Sequence, residues 1–167
     1  MSVGFTGPTI GHPTEVLART IEQAHRLGLQ VQLSGGVTGA ATLAAALALR
    51  PDRVNLACET LNDRAWLEHA LRAPEVPLHV CLDVRGDSLI ARGSGVDCGT
   101  LADALQWLAP RHASVVVTDI EADGAMTGPN LPLLETVAAA GVTVIASGGV
   151  RDAADLTALR ALAGRGE

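Results

Sequence analysis

Residues 31–37 read VQLSGGV and residues 144–150 read VIASGGV, two apolar runs that end in the same four letters. The copies lie 113 residues apart, and the likeness spreads beyond them. Laid over one another, residues 28–47 and 141–160 agree at 10 of 20 positions without a gap. Each copy reads as a strand that turns into a helix through two glycines, the residues that accept positive φ in a tight turn. A chain that repeats one strand–turn–helix unit should show the same alternation between and around the copies.

It does. Apolar runs with β character recur near 31–34, 53–57, 78–83, 114–120 and 142–147. They are nearly continuous, as in parallel strands covered on both faces. Stretches with helical spacing separate them: PTEVLARTIEQAHRLG, AATLAAALALR, DRAWLEHALRA, TLADALQWLAPR and NLPLLETVAAAG. In the first, Val16, Leu17, Thr20, Ile21, Ala24 and Leu27 share a face. Asn62 with Asp63, and Thr100, stand at N-cap positions; Gly28 and Gly141 stand where helices end, and Pro110 marks a helix exit. The order predicts an α/β fold of right-handed βαβ units with about five parallel strands. No linker or low-complexity run interrupts it, so residues 1–167 read as one domain. An open doubly wound sheet and consecutive staves of a (β/α)8 barrel both fit the pattern. The two related units are the first and fifth strands, four apart, as in a barrel made of two similar halves.

Composition narrows the function. Net charge is −6 and aromatic residues make up only 2%, which argues against nucleic acid as a partner. The alanine-rich helix is too short to cross a bilayer, so no membrane role is expected. The start, MSVGFTGPTIGHP, lacks a basic and then apolar leader pattern, and a cytoplasmic location is expected. Cys58, Cys81 and Cys98 have no metal-ligand spacing, and the five histidines are scattered, so no metal is expected. His79, inside an apolar run, and His112 read as structural.

Three places carry chemistry. The SGGV turns aim backbone amides at one point ahead of a helix N-terminus, a way to hold a phosphate; tight turns without ligand are the plainer account. Asp83 ends the strand in CLDVRGDSLIARGSGVDCG (81–99), where a barrel displays its acid–base groups; a salt bridge to Arg85 or a loop cap serves equally well. In VVVTDIEADGAMTGPN (115–130), Thr118 and Asp119 end a strand, Asp123-Gly124 signals a turn, and Asn130 could cap the next helix.

Taken in order, VQLSGGV, RVNLACETL, LDVRG, VVVTDIEADGAMTGPNLPLLETV and VIASGGVRDAADLTAL resemble the ProFAR isomerase family of histidine biosynthesis. They are most similar to its actinobacterial branch, whose members also serve tryptophan biosynthesis. The resemblance implies a partial (β/α)8 (TIM) barrel, with the five runs as family strands 3 to 7. It implies an Amadori rearrangement of a small-molecule substrate with two phosphoribosyl groups, run by acid–base groups with no cofactor. Carried over residue by residue, it makes Asp83, Asp123 and Thr118 catalytic. Gly35 and Gly36 would bind one phosphate, Gly148 and Gly149 the other, and Arg92 the substrate. By the same resemblance strands 1, 2 and 8 are missing, so a homo-oligomer or a complementing barrel fragment is expected. The sequence departs from the family at Ala57-Cys58, Ser94, Val96 and Cys98.

Overall fold

The computed structural model describes residues 2–4 and 14–163. The chain packs as two compact units, Met1–Val80 and Cys81–Glu167.

The first unit contains β1 (Ser2–Gly4), α1 (Thr14–Arg26), β2 (Gln32–Ser34), α2 (Ala40–Ala48), β3 (Arg53–Leu56) and α3 (Arg64–Arg72). It also holds the opening residues of β4 (Leu78–Arg85). All its strand pairs are parallel: Leu33 lies beside Val3 and Val54, and Leu56 beside Val80. The expected strands are therefore present, and β1 adds one beside β2. Leu17, Ile21 and Ala24 of α1 are buried with Leu33, Val54, Leu56 and Leu67. Val16 and Leu27, placed on the same face from the sequence, are 51% and 67% exposed. The covered arc of α1 is the narrower i, i+4, i+7 row, and these two residues fall beside it.

Local chemistry sets the ends of these elements. Gly28 takes φ 73° as α1 stops, and Asp63 accepts the Trp66 amide to cap α3. Asp52 accepts the Val31 amide at 2.6 Å and meets His25 at 3.0 Å, which joins the end of α1 to the start of β2. The Val31 amide is the chief reason that the Asp52 carboxyl lies below its ordinary range.

The second unit contains the rest of β4, then β5 (Ser88–Ile90), β6 (Asp97–Thr100), α4 (Leu101–Leu108), β7 (Ser114–Asp119), α5 (Leu131–Ala139), β8 (Thr143–Ser147) and α6 (Ala153–Ala163). β7 and β8 pair in parallel from Ser114↔Thr143 to Thr118↔Ser147. Leu82, Val84, Leu89, Leu108, Val115, Val117 and Val137 are buried here. Thr100 caps α4 through the Asp103 amide, as its position predicts, and Gly141 takes φ 85° after α5. Pro110 sits in a single 3-10 turn, Ala109–Arg111, that follows α4.

One feature was not expected. Residues 88–100 form an antiparallel hairpin with Ser88 opposite Thr100, and its first strand also runs antiparallel to β4, Val84 lying opposite Leu89. The signal was there in the apolar Leu89 and Ile90 ahead of Gly93-Ser94-Gly95. The parallel pattern of the other runs masked it. The rest is the alternation of strand and helix expected for consecutive staves of a (β/α)8 barrel.

Candidate active site

Asp83 is the sixth residue of β4, and only 7% of it is exposed. A buried carboxylate needs a donor. The hairpin supplies one, because it folds the chain back so that Arg92 returns to the strand it left. Ala91 and Gly95 close the tip through the Val96 and Ala91 carbonyls. Arg92 Nε then donates to Asp83 Oδ1 at 3.0 Å, with its backbone amide 3.5 Å from Oδ2. Arg85, one of the alternatives raised for Asp83, is exposed at the strand end, and Asp83 pairs with Arg92.

The other arm of the same guanidinium, Nη1, pairs with Asp123 Oδ2. Asp123 lies on the turn after β7, and Asp119 shapes that turn. Oδ1 of Asp119 accepts the amides of Glu121 at 2.9 Å and Ala122 at 3.4 Å, and its carbonyl accepts that of Asp123 at 3.0 Å. Oδ2 accepts from Asn130 Nδ2 at 2.7 Å, while Asn130 Oδ1 caps α5 through the Leu133 amide. Asp119 thus makes an Asx turn of its own ahead of the Asp123-Gly124 turn, where Gly124 takes φ 76°, and Asn130 caps as expected. Asp119 and Asn130 close the ten-residue loop between them at its base.

Thr118 is buried at the end of the β7–β8 pairing, opposite Ser147. Gly148 and Gly149 follow with φ 86° and 76°. Both face the Asp123 loop: a Cβ on Gly148 would lie 3.0 Å from Asp123 Oδ1, and one on Gly149 would lie 2.5 Å from the Gly128 carbonyl oxygen. These glycines are required by packing whether or not an anion binds. Gly35 and Gly36, in the first unit, have φ 99° and 68°. The Val37 carbonyl beside them accepts the Ala57 amide at 2.8 Å, which ties that turn to the end of β3.

Within the second unit, then, the structure brings together Asp83, Arg92, Asp123 and Gly148, with Thr118 on the neighbouring strand pair. One guanidinium thus holds two carboxylates from different staves, and carboxylates are groups able to exchange protons. A cleft of about 340 Å³ is lined by Val84, Asp119, Asn130 and Leu133. Among the described residues no group of three or more His, Cys, Asp or Glu could hold a metal ion. Asp119, Asn130 and the Arg151–Asp155 pair were not singled out as site residues from the sequence. The i, i+4 spacing of Arg151 and Asp155 was the available signal for the last.

Parallel βα units, with a carboxylate–arginine cluster at the carboxyl ends of β4 and β7 and glycine turns after β2 and β8, define a barrel-type α/β scaffold. The chain belongs to the family described as Histidine biosynthesis protein, which matches residues 11–166. Among curated relatives, a protein of Salinispora tropica is 44% identical over 154 residues, covering 91% of this chain and 63% of its own length. One from Frankia casuarinae is 42% identical over 156 residues, covering 92% and 61%. Both are named as imidazole-4-carboxamide isomerases, and the names carry two phosphoribosyl groups. Phosphoribosyl isomerase A of Streptomyces avermitilis is 43% identical over 143 residues, covering 84% and 59%. The chain spans about three-fifths of the length of these relatives.

Proposed function

We propose that this chain serves the aldose–ketose isomerisation of histidine biosynthesis, in which ProFAR becomes PRFAR. The observation that carries the proposal is the Asp83–Arg92–Asp123 cluster, joined by residues from two stave ends and a hairpin. Family membership and the names of the relatives support it.

In the proposed reaction Asp123, as general acid, delivers a proton as the ribose ring opens and the C–O bond to the ring oxygen breaks, leaving an iminium carbon. Asp83 takes the proton from the sugar's second carbon. The electron pair moves toward the iminium carbon to give an enolamine, which tautomerises to the aminoketose. Protons are moved and none is lost, so positioned acids and bases suffice. Gly35 with Gly36, and Gly148 with Gly149, would hold the two phosphates, and Arg92 would engage the substrate. Thr118 would line the reacting sugar.

The finer assignments belong to the same proposal: a cytoplasmic, actinobacterial enzyme, with the related tryptophan-pathway isomerisation as a second activity. So does association with a second copy or a complementing barrel fragment. Val144 and Ile145 of β8 are only half-buried, and Leu156 of α6 is 57% exposed, apolar surface that such a partner would cover. Purified chain incubated with ProFAR, followed by the absorbance change of isomerisation, tests the activity, as does rescue of a histidine auxotroph. Turnover in neither assay would remove the catalytic reading.

A further inference from the structure

The loop that carries Asp123 meets the second glycine turn backbone against backbone. Gly128 donates its amide to the Gly149 carbonyl at 3.0 Å. The site of a Cβ on Gly149 is 2.5 Å from the Gly128 oxygen and 3.3 Å from Pro129 Cα. Asp123 itself rests on Gly148. Met126 on this loop is 61% exposed, so little apolar area holds the loop down. Segments of that kind open at low free-energy cost.

Arg151 lies where it can press the loop home. Its Nη2 is 3.2 Å, and its guanidinium carbon 3.3 Å, from the point where Gly128 would carry a Cβ. Asp155 holds the guanidinium from the other side. Nε donates to Oδ2 at 3.0 Å, Nη2 to Oδ1 at 2.8 Å, and the Arg151 backbone amide to Oδ2 at 2.9 Å. This fork fixes the guanidinium in orientation as well as position, which a single contact would not do.

Burial points the same way. Asp155 is the buried residue of α6 among those described, although the helix also carries Leu156, Leu159 and Leu162. A helix that buries its aspartate while Leu156 is exposed and Leu159 and Leu162 are only half-buried has placed that carboxylate for its partner. Its hydrogen bonds from Arg151 pull its carboxyl down to about 2, and Asp155 in turn strengthens the hold of the guanidinium on its proton.

We propose that Arg151 is a positioning residue for Asp123: locked by Asp155, its guanidinium clamps Gly128 against Gly149 and holds the 121–130 loop on the SGGV turn. The clamp itself is independent of the reaction, and only its catalytic consequence rests on the isomerase reading.

Amide hydrogen exchange read by mass spectrometry on the full chain tests the clamp directly. Arg151→Ala should speed exchange in 121–130 by about tenfold, as expected for a loop whose closing contact is lost. Arg151→Lys, which keeps the charge without the planar fork, should give most of that increase and guards against misfolding of the alanine variant. Arg160→Ala, at an exposed position of the same helix, should leave the loop unchanged. Wild-type exchange in Arg151→Ala and Arg151→Lys, or equal acceleration by Arg160→Ala, overturns the clamp. Turnover of ProFAR adds the catalytic readout. Arg151→Ala should lower kcat by about tenfold with KM within about twofold, the split expected when a transition-state contact is misplaced. A raised KM at unchanged kcat would make Arg151 a substrate contact and overturn the positioning role. Parent chain without turnover removes the isomerase reading, while the exchange comparison still decides the clamp.

Discussion

The carbonyl oxygen of Gly128 stands 2.5 Å from the point where Gly149 would carry a Cβ. Neither backbone can yield without breaking the hydrogen bond between the same two residues. Gly149→Ala should therefore cost about 2–4 kcal/mol, a left-handed backbone penalty plus a backbone clash. Gly141→Ala is the comparison: its φ is 85° and nothing lies within 4 Å of the added atom. That change should cost only the conformational part, about 1–2 kcal/mol. Equal losses in urea unfolding would show that packing against Gly128 contributes nothing.

Arg92 joins Asp83 to Asp123 with two arms of one guanidinium. On the isomerase reading, Arg92→Ala should lower kcat/KM by about a hundredfold, within the range for losing a positioned charged contact. Arg92→Lys should recover less than about a tenth of the activity, because one ammonium cannot present the same planar pair of donors. Steady-state kinetics on both variants checks this; a lysine variant near wild type would sink the bridging role.

Asn130 has two duties, capping α5 and holding Asp119. Asn130→Ser retains a cap acceptor but gives up the reach to Asp119. Asn130→Ala loses both, and should destabilise the chain by about 1–2 kcal/mol, more than serine does. Denaturant midpoints of the two variants give the order, and a serine variant as weak as alanine would locate the whole effect at Asp119.

His79 is buried, and neither ring nitrogen has a hydrogen-bond partner. Burial, and then the charge of Arg53, keep its pKa below the ordinary 6.5. The unfolded chain therefore binds the proton more readily, and stability should fall as pH drops below about 6.5. Urea unfolding at pH 7.5 and 5.5 should show this loss in the wild type and a smaller loss in His79→Leu. Identical pH dependence in the two proteins would exclude His79 as its source.

Much of the architecture could be read along the chain. Near-continuous apolar runs separated by helical spacing marked the strands of the βα alternation, because those periodicities arise within each element. Caps were legible at Asp63, Thr100 and Asn130 for the same local reason. The hairpin at 88–100 was less so: its short strands, Ser88–Ile90 and Asp97–Thr100, offer three and four residues of pattern. Without the hairpin, Arg92 could be tied to substrate only through family resemblance, and its contact with Asp83 could not be foreseen.

By itself the sequence determined the fold class, the family and the stave-end position of Asp83, since each depends on patterns and residue types that neighbours in the chain set. Only the tertiary structure decided that one guanidinium serves two carboxylates, that Asp119 and Asn130 join at the base of the loop bearing Asp123, and that Gly149 makes room for Gly128. Those outcomes depend on approaches of a few ångströms between segments from 9 to 31 residues apart. No local preference encodes such distances; packing of strands and helices sets them.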